Sequence, residues 1–267
     1  GEALTLTGTG TVASKNVGTG KAVTLGSLVL GNGTGGLASN YTFIGGTYAT
    51  DITIASLTLS TSNVVKTYDG NTTASGSATA TGGTLFTGDT LSGGSFAFTD
   101  KNIGSGNKTV TVSGVAVNDG NSGSNYAVTY ADNTTSTINA LGITLTGFAA
   151  GNKIYDRSTT AAITNAGSLT GVIGGETVTV SNSGATFGDW NVGTGKTVTL
   201  AGISLGGTDG GNYSIASTAT TTANISAKSL GLDLAGQGGK VYDGSTALSL
   251  SGVTPTLTGV IGGDTVN

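Results

Sequence analysis

Three short stretches hold side chains that could do chemistry: Tyr68-Asp69-Gly70, Tyr155-Asp156-Arg157 and Tyr242-Asp243-Gly244. A phenol beside a carboxylate can relay a proton or grip a polar ligand. The stretches recur in steps of 87 residues, and a motif present in every copy of a repeat reads first as the repeat's own framework. In that reading the ring fills the core and its hydroxyl reaches a backbone partner. The Asp bonds an N–H two residues on, and the Gly supplies a positive φ. Arg157 stands where the other copies have Gly, which implies that the turn does not strictly need positive φ.

Three further landmarks keep nearly the same period. Asn-Val-Gly-x-Gly-Lys and its variant end at Lys21, Lys108 and Lys196; Asn-Tyr ends at Tyr41, Tyr126 and Tyr213; Gly-acid ends at Glu2, Asp89, Glu176 and Asp264. Six of the ten basic residues sit at two recurring positions, Lys66, Lys153 and Lys240 being the second set. In a chain with 9% charged residues, fixed charges are expected to pair across strands or at repeat junctions. There they set register more than stability. A Lys–Asn or Lys–Asp isopeptide crosslink needs a buried Lys, an amide partner and a neighbouring carboxylate. The spacing selects no such partner.

Other chemistry is excluded or weak. The chain has no Cys and no His, so Cys/His and Ser/His/Asp nucleophile systems, disulfides and the usual zinc, copper, haem and iron–sulfur ligands are missing. Net charge is −4, which gives no footprint for nucleic acid or anionic lipid. Gly18-Thr19-Gly20-Lys21 lacks the P-loop spacing and the following helix, and reads as a tight turn opening a strand. Asp119-Gly120 and Asp209-Gly210 offer oxygens, but too few carboxylates for calcium, and read as solvated turns. No catalytic residue, cofactor or metal site is expected. Trp190 stands where other copies have Lys15 and Lys101. An outward position follows, making it a candidate surface contact. Phe98 and Phe187, with Val12, read as core.

The elements that position these residues are all strands. Lys108–Val112, Lys196–Leu200, Glu176–Val180 and Tyr41–Ile44 alternate polar and apolar with period two, rich in Thr and Val, which suits a half-buried pleated surface. Asp-Gly, Asn-Gly and Gly-Gly turns cut them. The expected fold is all-β: a tandem array of small β-sandwich-like repeats, Ig-like or β-grasp-like, of about 87 residues, forming an elongated rod. Complete repeats span 56–140 and 141–227; 1–55 is the C-terminal part of a repeat and 228–267 the N-terminal part of another. No run of about 18 apolar residues is present for a membrane helix. With no leader pattern and no Met, a piece of something longer is expected.

Lys-x-Tyr-Asp-Gly-x-Thr followed by Gly-Asp, Asn-Val-Gly-x-Gly-Lys and Asn-Tyr resembles the YDG/MBG-type repeats of large bacterial surface adhesins, filamentous-haemagglutinin-like proteins of two-partner secretion. The resemblance covers the whole chain. It implies an extracellular location at the bacterial surface and a non-catalytic stalk or spacer role in cell attachment and biofilm. The implied partners are neighbouring repeats, other copies of the protein or cell-surface glycans. A self-assembling extracellular filament and a carbohydrate-binding module, with Trp190 as platform, are the alternatives.

Overall fold

The computed structural model describes residues 1–42, 44, 47–235, 239–250 and 253–266. Contacts divide the chain into two compact units, Gly1–Asn139 and Ala140–Asn267. Apart from single 3-10 turns at Ala38–Asn40 and Gly210–Asn212, the regular elements among the described residues are all strands.

In the first unit, residues 55–139 build two sheets. One has three strands in the order Tyr126–Tyr130, Ala55–Thr61, Ala78–Gly83; the other has four, in the order Val65–Thr67, Asn133–Asn139, Gly104–Asn118, Thr90–Phe98. Both sheets mix directions. Tyr126–Tyr130 runs parallel to Ala55–Thr61, and Asn133–Asn139 parallel to Val65–Thr67. Alternation sends Leu57 and Leu59 from one sheet, and Val112, Val115 and Val117 from the other, into one core closed by Tyr126. Burying each such side chain contributes roughly 1.5–3 kcal/mol. Residues 1–55 add the sheet Thr11–Val12, Gly18–Thr24, Tyr48–Ile52 and the pair Leu4–Thr7 with Val29–Asn32.

The second unit centres on a five-stranded sheet in the order Lys153–Ile154, Ala219–Ser226, Gly193–Ala201, Gly184–Phe187, Thr160–Ala161. Its core holds Phe148, Phe187, Val198, Leu200 and Ile225. Gly231–Ala235 pairs with Thr254–Thr258 as a separate two-stranded ladder.

Phe98 and Phe187 are buried, and Val12 is half-buried. Lys108–Val112 and Lys196–Leu200 lie in strands. Two expected strands differ. Of Glu176–Val180, only the end joins Thr179–Ser181, because the start is taken up by the Gly-acid turn, where Glu176 N–H donates to Ile173 O. Of Tyr41–Ile44, residues Tyr41, Thr42 and Ile44 are not in a strand; Phe43 lies outside the described residues. The equivalent strand Tyr126–Tyr130 is held by Ala55–Thr61, and residues 1–55 contain no counterpart of that partner.

The Gly-x-Gly-Lys stretches are not tight turns before a strand. They lie inside strands, as bulges where the register shifts between Gly18 and Lys21, Gly104 and Lys108, and Gly193 and Lys196. The first Gly is required because the lysine stem lies over it: a Cβ on Gly104 would sit 2.6 Å from Lys108 Cδ. The second adopts positive φ at Gly20, Gly106 and Gly195. Its freed N–H donates to a side chain of the repeat's last strand, Asp51, Thr137 or Asn224.

Candidate functional site

The Lys-x-Tyr-Asp-Gly stretch is a loop built around an ammonium. Lys66 Nζ lies 2.7 Å from Asp69 Oδ1 and donates to Asn71 O and Thr73 O at 2.7 and 3.1 Å. Lys153 repeats this with Asp156 at 2.6 Å and with Ser158 O and Thr160 O. Lys240 does so with Asp243, Ser245 O and Ala247 O. These lysines therefore pair within their own turn, three residues on, and not across strands or junctions. An ammonium offers three donors, and here it takes the place of a ladder across a loop too tight for strands. Lys66 also lies over the Phe98 ring and Lys153 over Phe187, at 5.4 and 5.8 Å.

The Asp closes the loop as an Asx-turn. Asp69, Asp156 and Asp243 accept the N–H of Asn71, Ser158 and Ser245. For Asp69, burial raises the pKa, but hydrogen bonds from Lys66 and the Asn71 N–H outweigh it and hold the carboxyl below its usual range. For Asp156 and Asp243 the lysine hydrogen bond is the largest cause of a similar lowering. Gly70 and Gly244 have φ +78° and +73°, and Arg157 has φ +60°. The turn thus needs positive φ in every copy. Arg157 meets that need at a cost of about 1–3 kcal/mol rather than by relaxing it. Tyr68 is buried and Tyr155 half-buried, but Tyr242 is exposed and does not fill a core.

Lys108 and Lys196 are a second kind of clamp. Each bonds an aspartate across its hairpin loop, Asp100 at 2.5 Å and Asp189 at 2.6 Å. Each aspartate also accepts the N–H two residues on, from Asn102 or Asn191. The lysine bond is the largest cause holding both carboxyls low. At Lys21 the matching residue is Ser14, whose Oγ keeps only the turn bond, to Asn16 N–H.

The remaining landmarks converge. The tyrosine of Asn-Tyr donates to the acid of Gly-acid: Tyr41 to Glu2, Tyr126 to Asp89 at 2.6 Å, and Tyr213 to Glu176. The same hydroxyl accepts a backbone N–H, from Phe86 at Tyr126 and from Ile173 at Tyr213. In the first unit this pair becomes the joint between repeats. Lys15 reaches Asp89 at 3.1 Å, and Asn125 Oδ1 accepts the Val17 N–H at 2.9 Å. Val17, Ala55 and Phe86 line the apolar cleft beside them. Asp89 is held low first by the Tyr126 hydroxyl and then by Lys15. Tyr126 is raised, first by desolvation and then by Asp89.

In the second unit the corresponding cleft is lined by Val192, Leu230, Val260 and Ile261. Its acid, Asp264, accepts from Tyr155 at 2.8 Å, and Arg157 Nε lies 3.4 Å away. Arg157 also donates to Gly262 O at 2.8 Å. Where Lys15 would stand is Trp190, which is exposed as expected. The cation at this joint therefore comes from the Tyr-Asp turn instead of the hairpin loop.

A comparison with protein families matches the YDG domain to residues 1–51, 53–136 and 139–223. The chain belongs to the YDG domain family. No curated protein and no solved structure was found to match it. The lysine turn and the tyrosine–acid pair are thus features of successive YDG repeats in this chain.

Sequence reading missed three residues. Asp100 and Asp189 were legible as Asp-x-Asn, an Asx-turn signature. Asp119 is buried rather than part of a solvated turn. Its oxygens accept the N–H groups of Asn121, Gly123 and Asn125 at 2.7, 2.8 and 3.0 Å, so it serves as the organiser of the loop that presents Asn125 to Val17. Among the described residues, no group of three Asp, Glu, His or Cys could hold a metal ion, and no helix is long and apolar enough to cross a membrane.

Proposed function

We propose that this run of YDG repeats is a non-catalytic spacer: a stalk segment of a secreted bacterial cell-surface adhesin, supporting attachment and biofilm. One observation carries the reading. The Gly-acid turn serves two partners at once, its own repeat through Tyr126 and the preceding repeat through Lys15. Its chemistry is thereby spent on joining modules, the economy expected of a repeat array. The paired charges within the turns support the same view, since each is committed to holding a loop.

Inserting further copies of residues 56–140 tests it. The maximum dimension in small-angle scattering should rise by a constant increment per inserted repeat, and an antibody should label intact cells. A glycan array supplies the opposing outcome. Specific sugar binding abolished by Trp190→Ala would replace the spacer reading with a carbohydrate-binding module.

A further inference from the structure

We propose that two copies of this 267-residue chain join head to tail, with residues 228–267 of one copy and residues 1–55 of the next folding together as one YDG repeat. The inference rests on the repeat architecture, not on an adhesin setting, so it stands or falls apart from the spacer reading.

Each terminal segment exposes what a complete repeat buries. Tyr242 is 93% exposed, whereas its counterpart Tyr68 is 2% exposed. Leu232 is 61% exposed against 0% for Leu59. At the other end, Val29 is 56% exposed against 7% for Val115, and Tyr41 46% against 5% for Tyr126. Side chains of this size leave water only when the facing sheet is present.

The missing strands are complementary. Residues 228–267 carry the counterparts of Ala55–Thr61 and of the Lys-x-Tyr strand Val65–Thr67. Residues 1–55 carry the counterparts of Gly104–Asn118, Tyr126–Tyr130 and Asn133–Asn139. In the complete repeats the Lys-x-Tyr strand pairs parallel with the last strand, Lys66 opposite Ile138 and Lys153 opposite Ile225. The matching isoleucine in 1–55 is Ile52, so Lys240 of one copy takes the place opposite Ile52 of the next, and Val241 that opposite Thr53.

The duplicated Gly-acid turn fits this arrangement. In the continuous repeat Asp89 serves both Tyr126 and Lys15. In the split repeat the two duties already lie on separate residues. Asp264 serves the preceding repeat through Tyr155 and Arg157, and Glu2 serves its own Tyr41. The association exchanges between copies the contacts that a continuous repeat makes within itself, as in domain swapping.

Sedimentation of the full chain over a wide concentration range tests the proposal. The wild type should form a ladder of oligomers that grows with concentration. Tyr242→Arg, at a side chain exposed in the single chain, should leave the melting temperature of the chain unchanged at low concentration. It should weaken association by about a hundredfold or more, because it asks a charge to be buried. Register is read with cysteines in this cysteine-free chain. Thr53→Cys with Val241→Cys should give disulfide-linked multimers on oxidation, and Ile52→Cys with Val241→Cys, one residue out of register, should give far fewer. A wild type that stays monomeric throughout, oligomers indifferent to Tyr242→Arg, or equal crosslinking of the two cysteine pairs would each overturn it.

Discussion

At the scale of single residues, the chain uses lysine as an internal staple. Lys66 is mostly buried and feeds two backbone carbonyls, so removing its ammonium strands acceptors that strands do not serve. Lys66→Met should cost about 2–3 kcal/mol, read as a lower urea midpoint, while Asp69→Ala should cost less because that carboxylate is half-exposed and screened. Equal losses would show that the ion pair, not the carbonyl cage, holds the turn. The carboxylates also set a pH window. Asp69, Asp89, Asp100, Asp119, Asp156, Asp189 and Asp243 all have depressed folded values. A depressed carboxyl stabilises the fold above its unfolded value, about 3.9, and that stability is lost as pH falls through the folded value. Melting temperature should therefore hold from neutral pH to about 4 and then drop. Tyr126 and Tyr155 have raised values, so their contribution is full below about pH 10 and lost as pH climbs through the folded values. Thermal melts followed by circular dichroism at stepped pH check both limits; a melting temperature unchanged at about pH 2 would contradict the first.

At the scale of elements, much was legible and some was not. The two-residue alternation of Lys108–Val112 is a strand because Val110 and Val112 must reach one core. Phe98→Ala, deleting the ring beneath Lys66, should cost about 3–5 kcal/mol, measured by denaturant melts. The bulges at Gly-x-Gly were hidden because glycine favours turns and bulges alike; only the lysine stem crossing Gly104 distinguishes them. The left-handed turn at Arg157 was misread for a related reason. One substitution suggested tolerance, yet the side chain is kept there by Asp264 and Gly262, which sequence spacing could not bring together. Landmarks seen separately, Asn-Tyr and Gly-acid, proved to be two halves of one hydrogen-bonded pair 37 residues apart. The joint makes a coupled prediction. Arg157→Gly should relieve the strained turn while loosening residues 228–267, seen as faster proteolysis there. Adding Trp190→Lys should restore protection by returning the cation to the hairpin loop. Two additive effects in that double-mutant cycle would mean that the positions do not share the acid.

At the scale of the whole molecule, order comes without covalent staples. Lys108 and Asp100, the most buried lysine and its partner, meet as an ion pair. Intact-mass spectrometry should therefore give the mass of the sequence, with no loss of about 17 or 18 Da per repeat from amide formation. The overall class and the period were plain from the sequence, since four landmarks marched in step. What each landmark does was not, because function here lies in contacts between positions far apart along the chain. The dual service of Asp89 has a genetic corollary. A duplicated stretch of one period arrives with its own plug and its own socket already matched to its neighbours. Length can then drift by recombination, copy by copy, with no compensating point change, and selection is left free to tune reach alone.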